Sequence, residues 1–180
     1  MLQITVPATE LYDEVNEIFV NTREQTLQLE HSLVSISKWE ATWRKPFLTK
    51  VDKTDEELLD YVKCMTITQN VNPETYLCLS ESNYACIKKY IEAPMTATTF
   101  SKEEGGKNNR EKITSELIYY WMITLNIPME CQKWHLNRLL TLIRVCSIKN
   151  SPKKKRKGAE ISRNHAAINA ARRKRYNTKG

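Results

Sequence analysis

Glycine is scarce in this chain, with four among 180 residues and two of them adjacent at Gly105 and Gly106. So few positions that take left-handed backbone freely suit helices and argue against a many-turned all-β sandwich or barrel. Histidine is scarcer, at three. No His-x-x-x-His pair, paired acidic metal motif, Gly-rich phosphate loop or Gly-x-Ser-x-Gly elbow occurs. The five cysteines, Cys64, Cys78, Cys86, Cys131 and Cys146, are an odd set without a CxxC pair. They read as small buried hydrophobes in a reducing compartment rather than a disulfide framework. No charged-then-apolar leader opens the chain, and no run of about 18 apolar residues offers a bilayer span. These absences predict no enzyme, no cofactor, no metal and no membrane partner.

What is present suits a core. The hydrophobic content is 41%, with four tryptophans and eight tyrosines as bulky anchors. Charge is divided unevenly. Residues 149–180 hold twelve Lys or Arg against the single acid Glu160, a net of +11, which leaves −4 on residues 1–148. The sequence therefore predicts a folded, mildly acidic body over 1–149 and a cationic tail over 150–180.

Local patterns place the elements. Leu2–Val6 alternates and is β-branched, closed by Pro7. Glu17–Asn21 and Thr26–Glu30 are further strands around the polar turn Thr22-Arg23-Glu24-Gln25, so residues 1–31 read as a small hairpin or sheet. Ser32 caps a helix carrying Leu33, Ile36, Trp39, Glu40 and Trp43, stopped before Pro46. Thr54 to Glu57 has the form of a capping box ahead of Leu58, Leu59, Tyr61, Val62 and Met65. Asn72-Pro73 reads as a cap followed by Pro at the first helical position, and Ser80 caps a helix ended by Pro94. Residues 101–110 read as a polar loop. Ile113, Leu117, Trp121 and Leu125 recur at helical spacing, and a long helix follows over Met129–Ile148. Around the Asn126-Ile127-Pro128 break, these two predict an αα-hairpin as the centre of the fold. Residues 159–176 are Ala- and Arg-rich and suit a helix. The fold class is mainly α (α+β), with five or six helices.

Four motifs each admit more than one reading. The tail runs Lys153, Lys154, Lys155, Arg156, Lys157 and Arg172, Arg173, Lys174, Arg175 are dense enough to neutralise phosphates by counterion release. Ser151–Lys157 also reads as a short nuclear-import signal, and the bland alternative is a solvated tail. Cys131 and His135 share a helical face, yet nothing at familiar spacing completes a zinc site or a Cys–His nucleophile, and a core thiol with a satisfied imidazole is commoner. The Ile113–Ile148 pair imitates a DNA-binding helix-turn-helix, but its second helix is too apolar for a recognition helix. Trp39, Trp43 and Phe47 interleave with Arg44 and Lys45 as a base-stacking platform would, while i, i+4 spacing equally suits one buried face.

The segments Ser37-Lys38-Trp39-Glu40, Lys45-Pro46-Phe47-Leu48, Tyr61-Val62-Lys63-Cys64-Met65-Thr66, Tyr119-Tyr120-Trp121-Met122 and Cys131–Leu140 together resemble a family of small tailed-bacteriophage proteins, the tail assembly chaperones. The resemblance spans roughly Leu2 to Asn177. It implies a non-catalytic factor in the host cytoplasm that coats the tape-measure protein, or other tail proteins, during assembly. It also implies that such chaperones are often made in two lengths by a ribosomal frameshift. Long apolar stripes on an unassembled partner aggregate unless covered, and a helix-in-groove contact covers them. The contact candidates are the exposed members of Trp39, Trp43, Phe47, Tyr119, Tyr120 and Trp134. Self-association and weak nucleic-acid contact through the tail are further expectations.

Overall fold

The structure, a computed structural model, describes residues 1–13, 18–49, 52–100, 112–151 and 158–177. The chain divides into two compact units, Met1–Ser147 and Ile148–Gly180. It is mainly helical with a small N-terminal β region, as the sequence patterns predict. Among the described residues no helix is long and apolar enough to cross a membrane.

Four strands open the first unit: β1 (Leu2–Val6), β2 (Thr9–Asp13), β3 (Ile18–Thr22) and β4 (Gln25–Leu29). β1 pairs antiparallel with β4, from Leu2 opposite Leu29 to Val6 opposite Gln25. β2 pairs with β3 in the same continuous register, from Thr9 opposite Thr22 to Asp13 opposite Ile18. The ladder is interrupted where Pro7, which has no N–H to give, faces the Arg23-Glu24 stretch. Thr22 bridges that gap, its Oγ1 accepting from Thr9 N–H at 3.2 Å and donating to the Thr9 carbonyl at 2.8 Å.

The pairing corrects the expected hairpin around Thr22–Gln25. β3 and β4 are sequential but pair with other strands, and β2, beyond Pro7, is an addition to the expected strands. Burial explains the choice. Ile4 and Val6 on β1 and Leu27 and Leu29 on β4 must reach one core together.

Helix α1 (Leu33–Trp43) lies at the centre of that core, packed against α2 (Asp55–Met65) and α4 (Ser115–Thr124). Its cap, Ser32, accepts from Ser35 N–H at 3.3 Å, and the Ser35 hydroxyl in turn accepts from Ser32 N–H at 2.9 Å. Arg44 ends the helix in the left-handed region at φ 53°, its N–H donating to the Glu40 carbonyl at 2.8 Å. α2 carries the expected box: Thr54 Oγ1 accepts from Glu57 N–H, and Glu57 Oε2 accepts from Thr54 N–H at 3.1 Å. Caps of this kind contribute about 1 kcal/mol each. Asn72-Pro73 starts a short 3₁₀ segment, Pro73–Cys78, and Ser80 caps α3 (Glu81–Glu92). The expected loop at 101–110 lies outside the described residues.

The C-terminal half differs from the αα-hairpin expectation. The stretch Met129–Ile148 is two elements, a second 3₁₀ segment (Met129–Lys133) and α5 (Leu136–Asn150). The break has a definite cause. Leu136 N–H donates to the His31 carbonyl at 2.7 Å, and Ser32 and His135 form an isolated antiparallel bridge. Extended backbone at 134–135 serves the start of α1, so a continuous helix through it is excluded. Leu136, Leu139 and Ile143 still bury, yet the centre of the fold is α1.

In the second unit, α6 (Gly158–Tyr176) is a 19-residue helix, and its described side chains are all exposed. Arg173, Lys174 and Arg175 lie in its last turn, directly after Arg172, where cations complement the helix dipole. Four consecutive residues at about 100° steps form a collar rather than a stripe.

Candidate partner-binding surfaces

The aromatic set marked by the sequence separates sharply on folding. Trp39 is fully buried, with Nε1–H donating to the Glu57 carbonyl at 2.8 Å. Phe47 is buried edge-on against Trp39, ring centroids 5.1 Å apart, and lies 4.0 Å from the Tyr61 ring. Trp43 is half-buried, stacked on Trp39 at 6.2 Å, and its Nε1–H donates to Asp60 Oδ2 at 2.9 Å. Tyr119 is half-buried, its hydroxyl donating to Gln132 Oε1 at 2.9 Å. Trp134 is half-buried beneath the Arg138 guanidinium, 4.3 Å from its ring. Tyr120 alone of the six stands well out, at 61% exposure.

Two lysines beside these aromatics, Lys45 and Lys53, make contacts within the fold. Lys45 Nζ pairs with the buried Glu57 carboxylate at 2.5 Å and sits 5.8 Å from the Trp43 ring. The Lys45 hydrogen bond, with help from Thr54 N–H, holds the Glu57 carboxyl below the usual range. Lys53 Nζ lies 4.5 Å over Phe47, and burial lowers its pKa. Glu40 is buried one position from Trp39. Its Oε1 accepts from Phe47 N–H at 2.8 Å and its Oε2 from Ser115 N–H at 2.7 Å. One carboxylate thus ties the 46–47 turn and the first turn of α4 to α1. Of the two readings of Trp39–Phe47, the burial of Trp39 and Phe47 favours the buried helix face over the base-stacking platform.

Among the described residues, two apolar surfaces are the candidates. On α4, Tyr120 and Ile123 are 61% and 66% exposed one helical turn apart, and Ile113 is exposed just ahead of the helix. α4 therefore buries Ile118 and Met122 on one side and presents large apolar groups on the other. The second surface is a groove of about 340 Å³ between α2 and α3, walled by Leu58, Val62, Tyr84, Ile87 and Ile91, with Lys88 and Glu92 also lining it. Burial and the nearby Asp55 carboxylate raise the Tyr84 hydroxyl pKa. The sequence held a signal for this groove: Tyr84, Ile87 and Ile91 lie at i, i+3, i+7 on α3, more apolar stripe than one buried contact needs.

Cys131 and His135 do not share a helical face, because the break at Trp134 separates them. Cys131 is buried in the 3₁₀ segment, and His135 is buried at the start of α5. Among the described residues no group of three or more His, Cys, Asp or Glu is placed to hold a metal ion. Of the cationic tail, Lys153, Lys154, Lys155, Arg156 and Lys157 lie outside the described residues, whereas Arg172, Arg173, Lys174 and Arg175 are exposed on α6. No family model matches the sequence, and no curated protein or solved structure matches it.

Proposed function

We propose that this protein is a non-catalytic assembly factor of the tail assembly chaperone kind, which covers an apolar helical stretch of a tape-measure or other tail protein until assembly. The observation that carries this reading is the outward face of α4, where Tyr120 and Ile123 stand exposed on a helix whose opposite side is already packed. Large apolar side chains left out of a well-formed core are a cost in water and a gain once a partner removes them from it. The α2–α3 groove has the shape of a receptor for a second helix, since it lies between two helices and is walled by aliphatic and aromatic side chains. The occupant is an amphipathic helix with apolar anchors at i, i+3/i+4 and i+7, the pattern that long tape-measure chains repeat. The host cytoplasm is the setting in which such a factor acts.

Co-expression tests the reading. A tape-measure protein, the proposed partner, should move from the insoluble to the soluble fraction when the two are made together. A partner that stays equally insoluble contradicts it.

A second reading rests on the collar Arg172, Arg173, Lys174 and Arg175, all exposed. Such a collar contacts phosphates without sequence preference. It predicts DNA or RNA mobility shifts that weaken steeply with salt and vanish on truncation after Asn150. Binding unchanged by that truncation removes the tail from the explanation.

A further inference from the structure

His31 and His135 are both buried and face each other edge to face, with ring centroids 5.1 Å apart. They stand on a seam: His31 lies between β4 and α1, and His135 lies between the second 3₁₀ segment and α5. Backbone closes the seam through the Leu136 N–H to His31 carbonyl bond. Both ring nitrogens of His135 are engaged. Nδ1 accepts from Asn137 N–H at 3.3 Å, and Nε2 lies 3.0 Å from the Tyr90 carbonyl, which only an N–H satisfies. One accepting and one donating nitrogen is the pattern of a neutral imidazole.

We propose that His135 is an acid-sensitive cap, whose neutral ring closes the first turn of α5 and whose protonation releases that turn from the body. An imidazolium donates from both nitrogens, so a proton on Nδ1 meets the Asn137 N–H instead of accepting from it. The new charge also stands at the positive end of the α5 dipole and against the His31 ring. The groups facing this pair are few. Glu30, next to β4, accepts from the Tyr90 hydroxyl of α3 at 2.7 Å and pairs with the Met1 ammonium at 2.9 Å. Tyr61 of α2 places its hydroxyl 2.5 Å from His31 Nδ1, and the uncharged Phe47 ring lies 6.5 Å from the His31 ring.

Burial lowers the His135 pKa against smaller upward pulls from the Tyr90 carbonyl and Glu30. Burial and then His135 bring His31 down to about 3. Groups that resist protonation in the fold stabilise it fully above the free-histidine pKa, and that stability drains as pH falls below it. The release therefore sets in below about pH 6.5.

Hydrogen exchange on the full chain, from about pH 7.5 to about pH 4.5 and corrected for intrinsic rates, reads the cap directly. Amides of residues 136–143 should lose about tenfold protection near pH 5, ahead of those in β4. His135→Asn keeps a capping acceptor that does not titrate, so its protection over 136–143 should stay level across this range. Equal acid loss in His135→Asn and the unsubstituted protein overturns the proposal. Should His135→Asn not fold, the His135 ring titration by NMR decides: a pKa at or above the free value in the folded protein overturns it, and a clearly lower one supports it.

Discussion

The aromatic cluster around α1 and the outward face of α4 have similar compositions and opposite fates. Trp39, Phe47 and Tyr61 meet ring to ring around one another, while Tyr120 and Ile123, on a helix equally rich in large apolar groups, face water. Polar bookkeeping separates them. The cluster carries Glu40 and Glu57, whose carboxylates engage the backbone and Lys45, and among the described residues no buried side-chain nitrogen or oxygen lacks a partner. Composition and spacing mark both regions alike. Partner atoms from distant segments decide which one closes.

The sharpest way to break this comparison is to remove the carboxylate that closes the cluster. Glu40→Ala leaves the N–H groups of Phe47 and Ser115 buried without an acceptor, a loss of about 3–5 kcal/mol in urea unfolding. A change below about 1 kcal/mol would mean that Glu40 does not organise the cluster. Next comes Phe47→Ala, expected to cost about 3–5 kcal/mol through the cavity left between Trp39 and Tyr61. The same substitution on the other side, Tyr120→Ala, should shift stability by no more than about 0.5 kcal/mol while lowering the yield of soluble partner. Acid sharpens the contrast further. The Glu57 carboxyl, held low by Lys45, contributes stability above the ordinary carboxylate pKa and loses it as pH falls below that value. Glu57→Gln should therefore flatten the low-pH arm of the stability profile, measured by thermal melts across pH. The smallest expected effect is at the end of α1: Arg44→Gly relieves the left-handed backbone and should stabilise by about 0.5–1 kcal/mol.

Much of the fold was legible because its signals are local. Ser32, Thr54, Asn72 and Ser80 cap where their side chains and following residues predict, and Leu2–Val6 alternates as a strand should. What escaped depends on distant pairing. The Met129–Ile148 stretch has an apolar helical pattern, yet residues 135–136 are taken by hydrogen bonds to 31–32, about a hundred positions earlier. The strand partners differ from the local pattern for a related reason, since β4 follows β3 in sequence while its core-facing leucines match β1. The candidate surfaces were half legible. Spacing marked the tyrosines and tryptophans as large apolar groups, but exposure depends on the carboxylate clamps, whose spacing in sequence is unremarkable. The histidine seam had a faint mark in a composition with three histidines, two of them beside apolar runs.

The claim at the centre is that the α4 face, and not the α1 cluster, meets the partner. A photoreactive benzoylphenylalanine placed at Tyr120, and in a separate chain at Trp43, tests it most directly during co-expression with a tape-measure protein, the proposed partner. The account predicts a crosslinked adduct from position 120 and none from position 43. An adduct from 43 with none from 120 would contradict it.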